Sequence, residues 1–329
     1  MRALITGGTG FIGSHLSEYL LKQGYHVTVI DDLTTGRFTN IEPLTRNPKF
    51  HYAIEDIRNI HVIDRLVSEC DIIFHLAAMV GVEKIINEPI NTIEVNIGGT
   101  EILLKTARRY RKKIMVASTS EVYGKGVSFP FREDDDSLLG PTVKNRWSYA
   151  ASKMVDEFLA LAYYHETGLP VVLFRLFNTV GPRQSGQYGM VLPRFVQSAL
   201  QNKPIQVYGD GQQQRCFGNV FDVVDAIHKL GESDQAIGQL YNIGSDEEIT
   251  IYDLAVRVRD RADSASEIKL IPYDEAYAPG FEDFRRRVPS IEKIQQLIGW
   301  KPTTLLDDTI DQVIAYYQQE MRQNGRANS

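Results

Sequence analysis

The stretch Arg2–Asp32, "RALITGGTGFIGSHLSEYLLKQGYHVTVIDD", holds three signals in one line. "RALIT" is a short apolar strand. Phe11, Ile12, Leu16, Tyr19 and Leu20 then recur at helical spacing, and "HVTVIDD" (His26–Asp32) is a second strand. Between the first strand and the helix, Gly7, Gly10 and Gly13 are spaced G-x-x-G-x-x-G. The first allows a tight turn, the second lets backbone approach a pyrophosphate, and the third lets helix pack on strand. The second strand ends in acid at Asp31 and Asp32, about twenty residues past the loop, where a carboxylate hydrogen-bonds both hydroxyls of an adenosine ribose. That charge repels a 2′-phosphate, so the pattern points to NAD rather than NADP, although Arg37 close by is a residue type that accepts such a phosphate.

Further along, strand and helix alternate. "CDIIFHLAA" (Cys70–Ala78) and "KKIMVAS" (Lys112–Ser118) read as buried strands flanking the helix-length "NTIEVNIGGTEILLKTARRY" (Asn91–Tyr110). This repetition predicts an α/β fold with a doubly wound parallel sheet, whose ligands lie outside the carboxyl ends of the strands. Asp56 and Ile57 follow another short strand and fit contact with adenine. A late amphipathic helix carries Leu306, Ile310, Val313, Ile314 and Tyr317 on one face, and the polar tail Arg322–Ser329 is expected to fray.

With 43% hydrophobic and 24% charged residues over 329 positions, the chain can bury a large core. A net charge of −6 offers no field for nucleic acid or anionic lipid, so any bound anion must be gripped locally. Two cysteines, Cys70 and Cys216, suit a reducing compartment and supply neither a disulfide framework nor a metal site. With no leader pattern and no membrane-spanning apolar run, a cytoplasmic location is expected.

"NRWSYAASK" (Asn145–Lys153) places Tyr149 four residues before Lys153 at a helix start. The i and i+4 positions share a face, and an ammonium beside a phenol lowers its pKa from about 10 toward the working range. Tyr149 is thereby a candidate general base.

Together, "GGTGFIGSH", "HLAA", "STSEVYG", "YAASK", "FNTVGPR" and "YGDGQQQR" resemble the extended short-chain dehydrogenase/reductase superfamily, in particular its NAD-dependent nucleotide-sugar epimerases, dehydratases and decarboxylases, over nearly the whole chain. The resemblance implies a Rossmann-type NAD domain over 1–174, to which 216–245 returns, and a smaller nucleotide-sugar lobe over 175–329. It implies a catalytic triad of Thr119, Tyr149 and Lys153. NAD contacts are implied at Gly7, Gly10, Phe11, Ile12, Gly13, Asp31, Asp32, Arg37, Asp56, Ile57, Leu76, Ala77, Ala78, Asn96, Tyr149 and Lys153, with Asn96 supporting the lysine through an ordered water. Asn178 and Arg215 match positions that contact the substrate diphosphate, and Val191, Leu192, Arg194, Gln206 and Tyr208 match segments around the nucleotide base. A homodimer built on a four-helix bundle is the family's usual assembly. One departure is "RCFGNVFD" after Arg215, where the commoner pattern has an acid and aromatics, which leaves the fine shape around Cys216 open.

The reaction has to be read from the site. Thr119-Ser120-Glu121 adds a hydroxyl and a carboxylate where a plain 4-epimerase needs only small residues, and the triplet is shared, in resemblance, by UDP-glucuronate decarboxylases and GDP-mannose 4,6-dehydratases. "KNRWSYAASK" and Gly280–Pro302, "GFEDFRRRVPSIEKIQQLIGWKP", resemble the decarboxylases, whose active-site arginine corresponds to Arg287; Arg285 and Arg286 read as a solvated patch. A guanidinium suits a sugar carboxylate. Against this, "HLAAMVGVEKII" is nearer to epimerase-like relatives. The leading expectation is oxidation at C4 followed by decarboxylation of UDP-glucuronate to UDP-xylose or a UDP-4-keto-pentose. A UDP-sugar 4-epimerase is the alternative, then a 4,6-dehydratase, and a binding protein without turnover stands as the non-enzyme reading.

Overall fold

The computed structural model describes residues 1–81, 85, 87–186, 190–276 and 285–327, with the side chains of 274, 276 and 324–327 left aside. Strands β1 (Arg2–Thr6), β2 (His26–Asp31), β3 (Phe50–Ile54), β4 (Ile72–His75), β5 (Lys113–Thr119) and β6 (Val171–Leu176) form one parallel sheet. Strands β7 (Thr179–Val180), β8 (Ile205–Tyr208), β9 (Gln214–Cys216) and β10 (Gly218–Asn219) lie outside this sheet. β11 (Gln239–Ile243) then pairs parallel with β6, giving the seven-stranded order β11-β6-β5-β4-β1-β2-β3, while β12 (Glu248–Thr250) pairs with β9 and β13 (Ile268–Ile271) with β8. The order reverses between β1 and β4, which opens a crevice there. This is the doubly wound parallel α/β sheet that the strand and helix alternation predicts.

Runs such as "VVLFRL" in β6 are apolar almost throughout because helices cover both faces of the sheet. One face packs on helices Phe11–Lys22 and Val220–Glu232 through Leu16, Leu20, Val223 and Ile227. The other packs on Ile60–Glu69, Gly99–Tyr110 and Ser148–Thr167 through Ile63, Leu66, Leu103 and Ala160. A separate core holds the lobe, where Leu306, Ile310, Val313 and Ile314 of helix Leu306–Ala327 meet Phe195, Leu254 and Val258. That helix runs on through Ala327, so the expected fraying of the tail is corrected up to that point; 328–329 lie outside the described residues.

Beneath the site, Arg175 of β6 donates from Nε and Nη2 to Glu157 at 2.9 and 2.7 Å, a bidentate pair buried between sheet and helix Ser148–Thr167. Ser118 of β5 donates to the same carboxylate. Arg175→Leu would leave Glu157 buried without its partner and is expected to cost about 3–5 kcal/mol in urea unfolding. The double variant Arg175→Leu/Glu157→Leu should recover most of that loss, and equal stabilities for wild type and Arg175→Leu would contradict the role given to the pair.

Candidate functional site

A crevice of about 500 Å³ follows the carboxyl ends of the strands and continues beneath the lobe. At one end the chain turns between β1 and its helix. Gly7 has φ +71°, and a Cβ there would lie 2.9 Å from the Ala77 nitrogen; one on Gly13 would lie 2.1 Å from the Gly7 carbonyl oxygen. Only glycine permits this closeness. Asp31, nearly buried at the end of β2, accepts from the Thr9 and Leu33 nitrogens at 3.0 and 2.9 Å, which fixes its carboxylate beside the turn. Gly10, Phe11, Ile12, Asp32, Arg37, Asp56, Ile57, Leu76, Ala77 and Ala78 line this same end. Arg37 leans toward Glu320, 4.0 Å away.

The middle of the crevice is set by β5 and the helix Ser148–Thr167. Thr119 ends the strand, and its hydroxyl accepts from the Glu121 nitrogen at 3.2 Å, so Ser120 and Glu121 turn into the crevice. Tyr149 and Lys153 line it from the first turns of the helix, as their spacing predicts, and Thr119 hydrogen-bonds the Tyr149 hydroxyl. The expected lowering of the phenol pKa is not what the structure gives. Burial pushes Tyr149 up, and the Glu121 carboxylate adds to the rise, whereas Lys153 lies 2.7 Å from Asp156 and spends its charge there.

The opposite wall comes from the lobe. β14 (Arg286–Arg287) pairs parallel with β9, with Arg287 in register with Arg215, and both line the crevice. Arg287 Nη1 is 3.4 Å from Ser120 Oγ and 3.7 Å from Glu121 Oε1; Arg146, itself buried, donates to Glu121 Oε2 at 2.6 Å. Burial alone would raise the Glu121 carboxyl. Arg146 and Arg287, with Arg215 farther off, outweigh it and hold Glu121 below the usual carboxylate range, so it is an anion. Arg286 instead pairs with Glu248 at the surface, and Arg285 is exposed, as read from the sequence. The Gly280–Phe284 part of the decarboxylase-like segment, and Val82, Glu83, Lys84 and Ile86 of the epimerase-like loop, lie outside the described residues.

Asn178, Val191, Arg194 and Tyr208 also line the lobe end, with the Arg194 guanidinium 3.9 Å from the Tyr208 ring centroid. The Asn178 amide donates to the Cys216 carbonyl at 3.0 Å and so ties two lobe segments together. Cys216, the uncertain point of "RCFGNVFD", is fully buried, and Phe217 beside it reaches the crevice.

Three expected residues, Leu192, Gln206 and Asn96, do not line the crevice. Leu192 is wholly buried in the lobe core, because the helix Val191–Leu200 turns that position inward. The Gln206 side chain is exposed on β8 and away from the crevice, and only its carbonyl is used, by Arg194. Asn96 lies behind the wall on a wide π-type turn, Glu94–Gly98, where it accepts from the Met79 nitrogen at 2.8 Å and donates to Ser152 at 3.0 Å. In the other direction, Arg146, Arg183, Gln213 and Tyr273 line the crevice without having been expected there. Arg146 had a signal, its place in "NRWSYAASK". Arg183 had one as well, closing "FNTVGPR", and it pairs with Glu18 of the glycine-loop helix.

The GDP-mannose 4,6 dehydratase family model matches residues 4–313. The UDP-N-acetyl-alpha-D-glucosaminuronate decarboxylase of Bacillus cytotoxicus is 41% identical over 97% of this chain and 98% of its own. UDP-glucuronic acid decarboxylase 1 of Danio rerio is 35% identical over 97% of this chain and 73% of its own. Among solved structures, the UDP-glucuronic acid 4-epimerase of Bacillus cereus, in complex with UDP-glucuronic acid and NAD, matches with a TM-score of 0.88 at 29% identity, covering 97% of this chain and 100% of that one.

Because the Glu121 anion favours the neutral phenol, removing its charge should let Tyr149 ionise more easily. Glu121→Gln is expected to move the Tyr149 titration toward acid by about one unit, followed by NMR of ring-labelled tyrosine with Tyr149→Phe as assignment. A titration that stays in place or moves toward alkali would contradict the charge balance described here.

Proposed function

The chain belongs to the GDP-mannose 4,6 dehydratase family, and on that premise we propose that it is an NAD-dependent nucleotide-sugar enzyme that oxidises the sugar at C4 and then decarboxylates it. The substrate is a UDP-linked uronic acid, UDP-glucuronate or its 2-acetamido counterpart, and the product a UDP-pentose or its 4-keto form. The observation that carries this reading is Arg287, held in register with Arg215 and directed at Ser120 and Glu121. Three arginines face one resident carboxylate, and the positive excess suits a diphosphate together with a sugar carboxylate. Relatives named for two uronate decarboxylations, matched along 97% of this chain, support the same reading.

The glycine turn and Asp31 fit NAD: added Cβ atoms would close the turn, and the Asp31 carboxylate would repel a 2′-phosphate. Bound there, NAD supplies a hydride acceptor for C4. Tyr149, once ionised, takes the proton of the C4 hydroxyl, with Thr119 beside its oxygen. The ketone makes the C6 carboxylate a β-keto acid, so the C5–C6 bond breaks, carbon dioxide leaves and the electron pair passes into an enolate at O4. The Tyr149 phenol then hydrogen-bonds that oxygen, a proton from solvent at C5 gives the 4-keto pentose, and where the hydride is returned to C4 the Tyr149 proton goes back to O4. Arg287 holds the carboxylate until it leaves, and Glu121, ionised, orients Arg287 rather than delivering a proton.

We further assign residues 1–174, with 216–245, to the NAD domain and 175–329 mainly to the nucleotide-sugar lobe. Helix Pro89–Ile93 packs beside Ser148–Thr167, and together they expose Ile90, Ile93, Val155 and Phe158, with Phe158 71% exposed. Such a stripe suits the face of a homodimer. The two free, buried cysteines suit the cytoplasm, and among the described residues no helix is long and apolar enough to cross a membrane.

Incubated with NAD and UDP-glucuronate or its 2-acetamido counterpart, the protein should release carbon dioxide and form a UDP-sugar lighter by that mass. Arg287→Ala should weaken use of the acid sugar by about 2–5 kcal/mol while NAD stays bound. Conversion to the C4 epimer at constant mass would replace this reading with the epimerase. For the assembly, Phe158→Asp is expected to convert a dimer into monomers by size-exclusion chromatography with light scattering; a wild type already monomeric would refute the stripe's role.

A further inference from the structure

The Lys153–Asp156 pair is buried on both sides, with 3% and 0% side-chain exposure. Two charges taken so far from water hold together only where geometry and further hydrogen bonds compensate them. Here Asp156 Oδ2 accepts from Lys153 at 2.7 Å, while Oδ1 is buried with no hydrogen bond among the described residues, so the ammonium is the group that answers the carboxylate. On the core side, Thr6 Oγ1 accepts from the Ala77 nitrogen at 3.1 Å and lies 2.8 Å from His75 Nδ1, and His75 Nε2 lies 3.0 Å from Thr100 Oγ1. Burial, with Lys153 acting in the same direction, lowers His75 to about 3, so the ring is neutral and adds no charge beside the pair.

We infer that Asp156 is a positioning residue acting through Lys153: it draws the ammonium toward the core and balances its charge, so that Tyr149 stays a phenol until Lys153 turns to another acceptor in the crevice. This rests on the reading of Tyr149 as the base. The charged and titratable groups around the pair are Tyr149 and Glu157 on its own helix and His75 on β4, and across the crevice Glu121 and Arg287 act on Tyr149. Glu157 is occupied by Arg175, and His75 is neutral. Asp156 is therefore the carboxylate left to answer Lys153.

The test reads Tyr149 directly, from the phenolate absorbance of each protein minus that of its Tyr149→Phe counterpart, without NAD or substrate. In Asp156→Asn the ammonium is left uncompensated beside the phenol, and the titration should move toward acid by about half a unit to one unit. Asp156→Glu, which keeps the charge, should restore most of the wild-type value. In a Lys153→Met background only the direct effect of the Asp156 charge on the phenol is left, and Asp156→Asn should then give a clearly smaller shift. Should Asp156→Asn fail to fold, Asp156→Ser, which removes the charge and keeps a small polar group, takes its place and should move the titration in the same direction. A Tyr149 titration that does not move in the folded variant, moves toward alkali, or moves equally with and without Lys153 would overturn the inference. Normal shifts in a protein that never turns over a nucleotide sugar would instead overturn the reading of Tyr149 as the base, leaving the role of Asp156 intact.

Discussion

The Arg175–Glu157 pair fastens the sheet to the helix that carries Tyr149 and Lys153. Ser118, one residue before Thr119, donates to the same carboxylate, so β5, β6 and the helix share one buried anchor. The Arg175 guanidinium also lies 4.5 Å from the Tyr123 ring centroid, and the Tyr123 hydroxyl donates to Asn242 of β11 at 2.7 Å. Reacting groups have to be held to fractions of an ångström, and they are held best on rigid elements with a second layer of bonds behind them. Thr119 and Tyr149 come from different elements, and this network fixes their spacing.

Above that anchor the site is organised by charge. The chain is acidic overall, yet Arg146, Arg215 and Arg287 converge on Glu121. Net charge governs long-range behaviour and leaves such a local field untouched. Two carboxylates shape Tyr149 from opposite sides: Glu121, clamped by guanidiniums in the crevice, and Asp156, paired with Lys153 in the core. Burial and both anions favour the neutral phenol. Base chemistry at Tyr149 therefore depends on where the Lys153 ammonium points, a matter of one side chain's partner rather than of the fold.

The parts of the site legible in the sequence are those encoded by neighbours along the chain. Glycines at Gly7, Gly10 and Gly13, an acid closing β2 at Asp31, and the shared face of Tyr149 and Lys153 follow from turn sterics, strand length and helical periodicity. Apolar runs set the parallel sheet by the same kind of rule. What neighbours along the chain do not encode is which residue of a bordering segment faces the crevice. Leu192 and Gln206 lie in elements that border the crevice, but a helix or strand presents only some of its positions to any one side, and the lobe core claimed Leu192 while solvent took Gln206.

Long-range contacts belong to the tertiary structure. Nothing local relates Arg287 to Ser120, 167 residues away, until β14 docks beside β9 and brings two arginines into register. The partner of Lys153 is the subtler case. Asp156 sits three residues on in plain view, yet a helical neighbour at that spacing is ordinarily a solvated ion pair of small consequence. Burial took both groups out of water and left each to answer the other. Local sterics and periodicity act through a few adjacent residues and are written in their order, whereas desolvation and charge balance depend on everything that closes around a group, which exists only once the chain has folded.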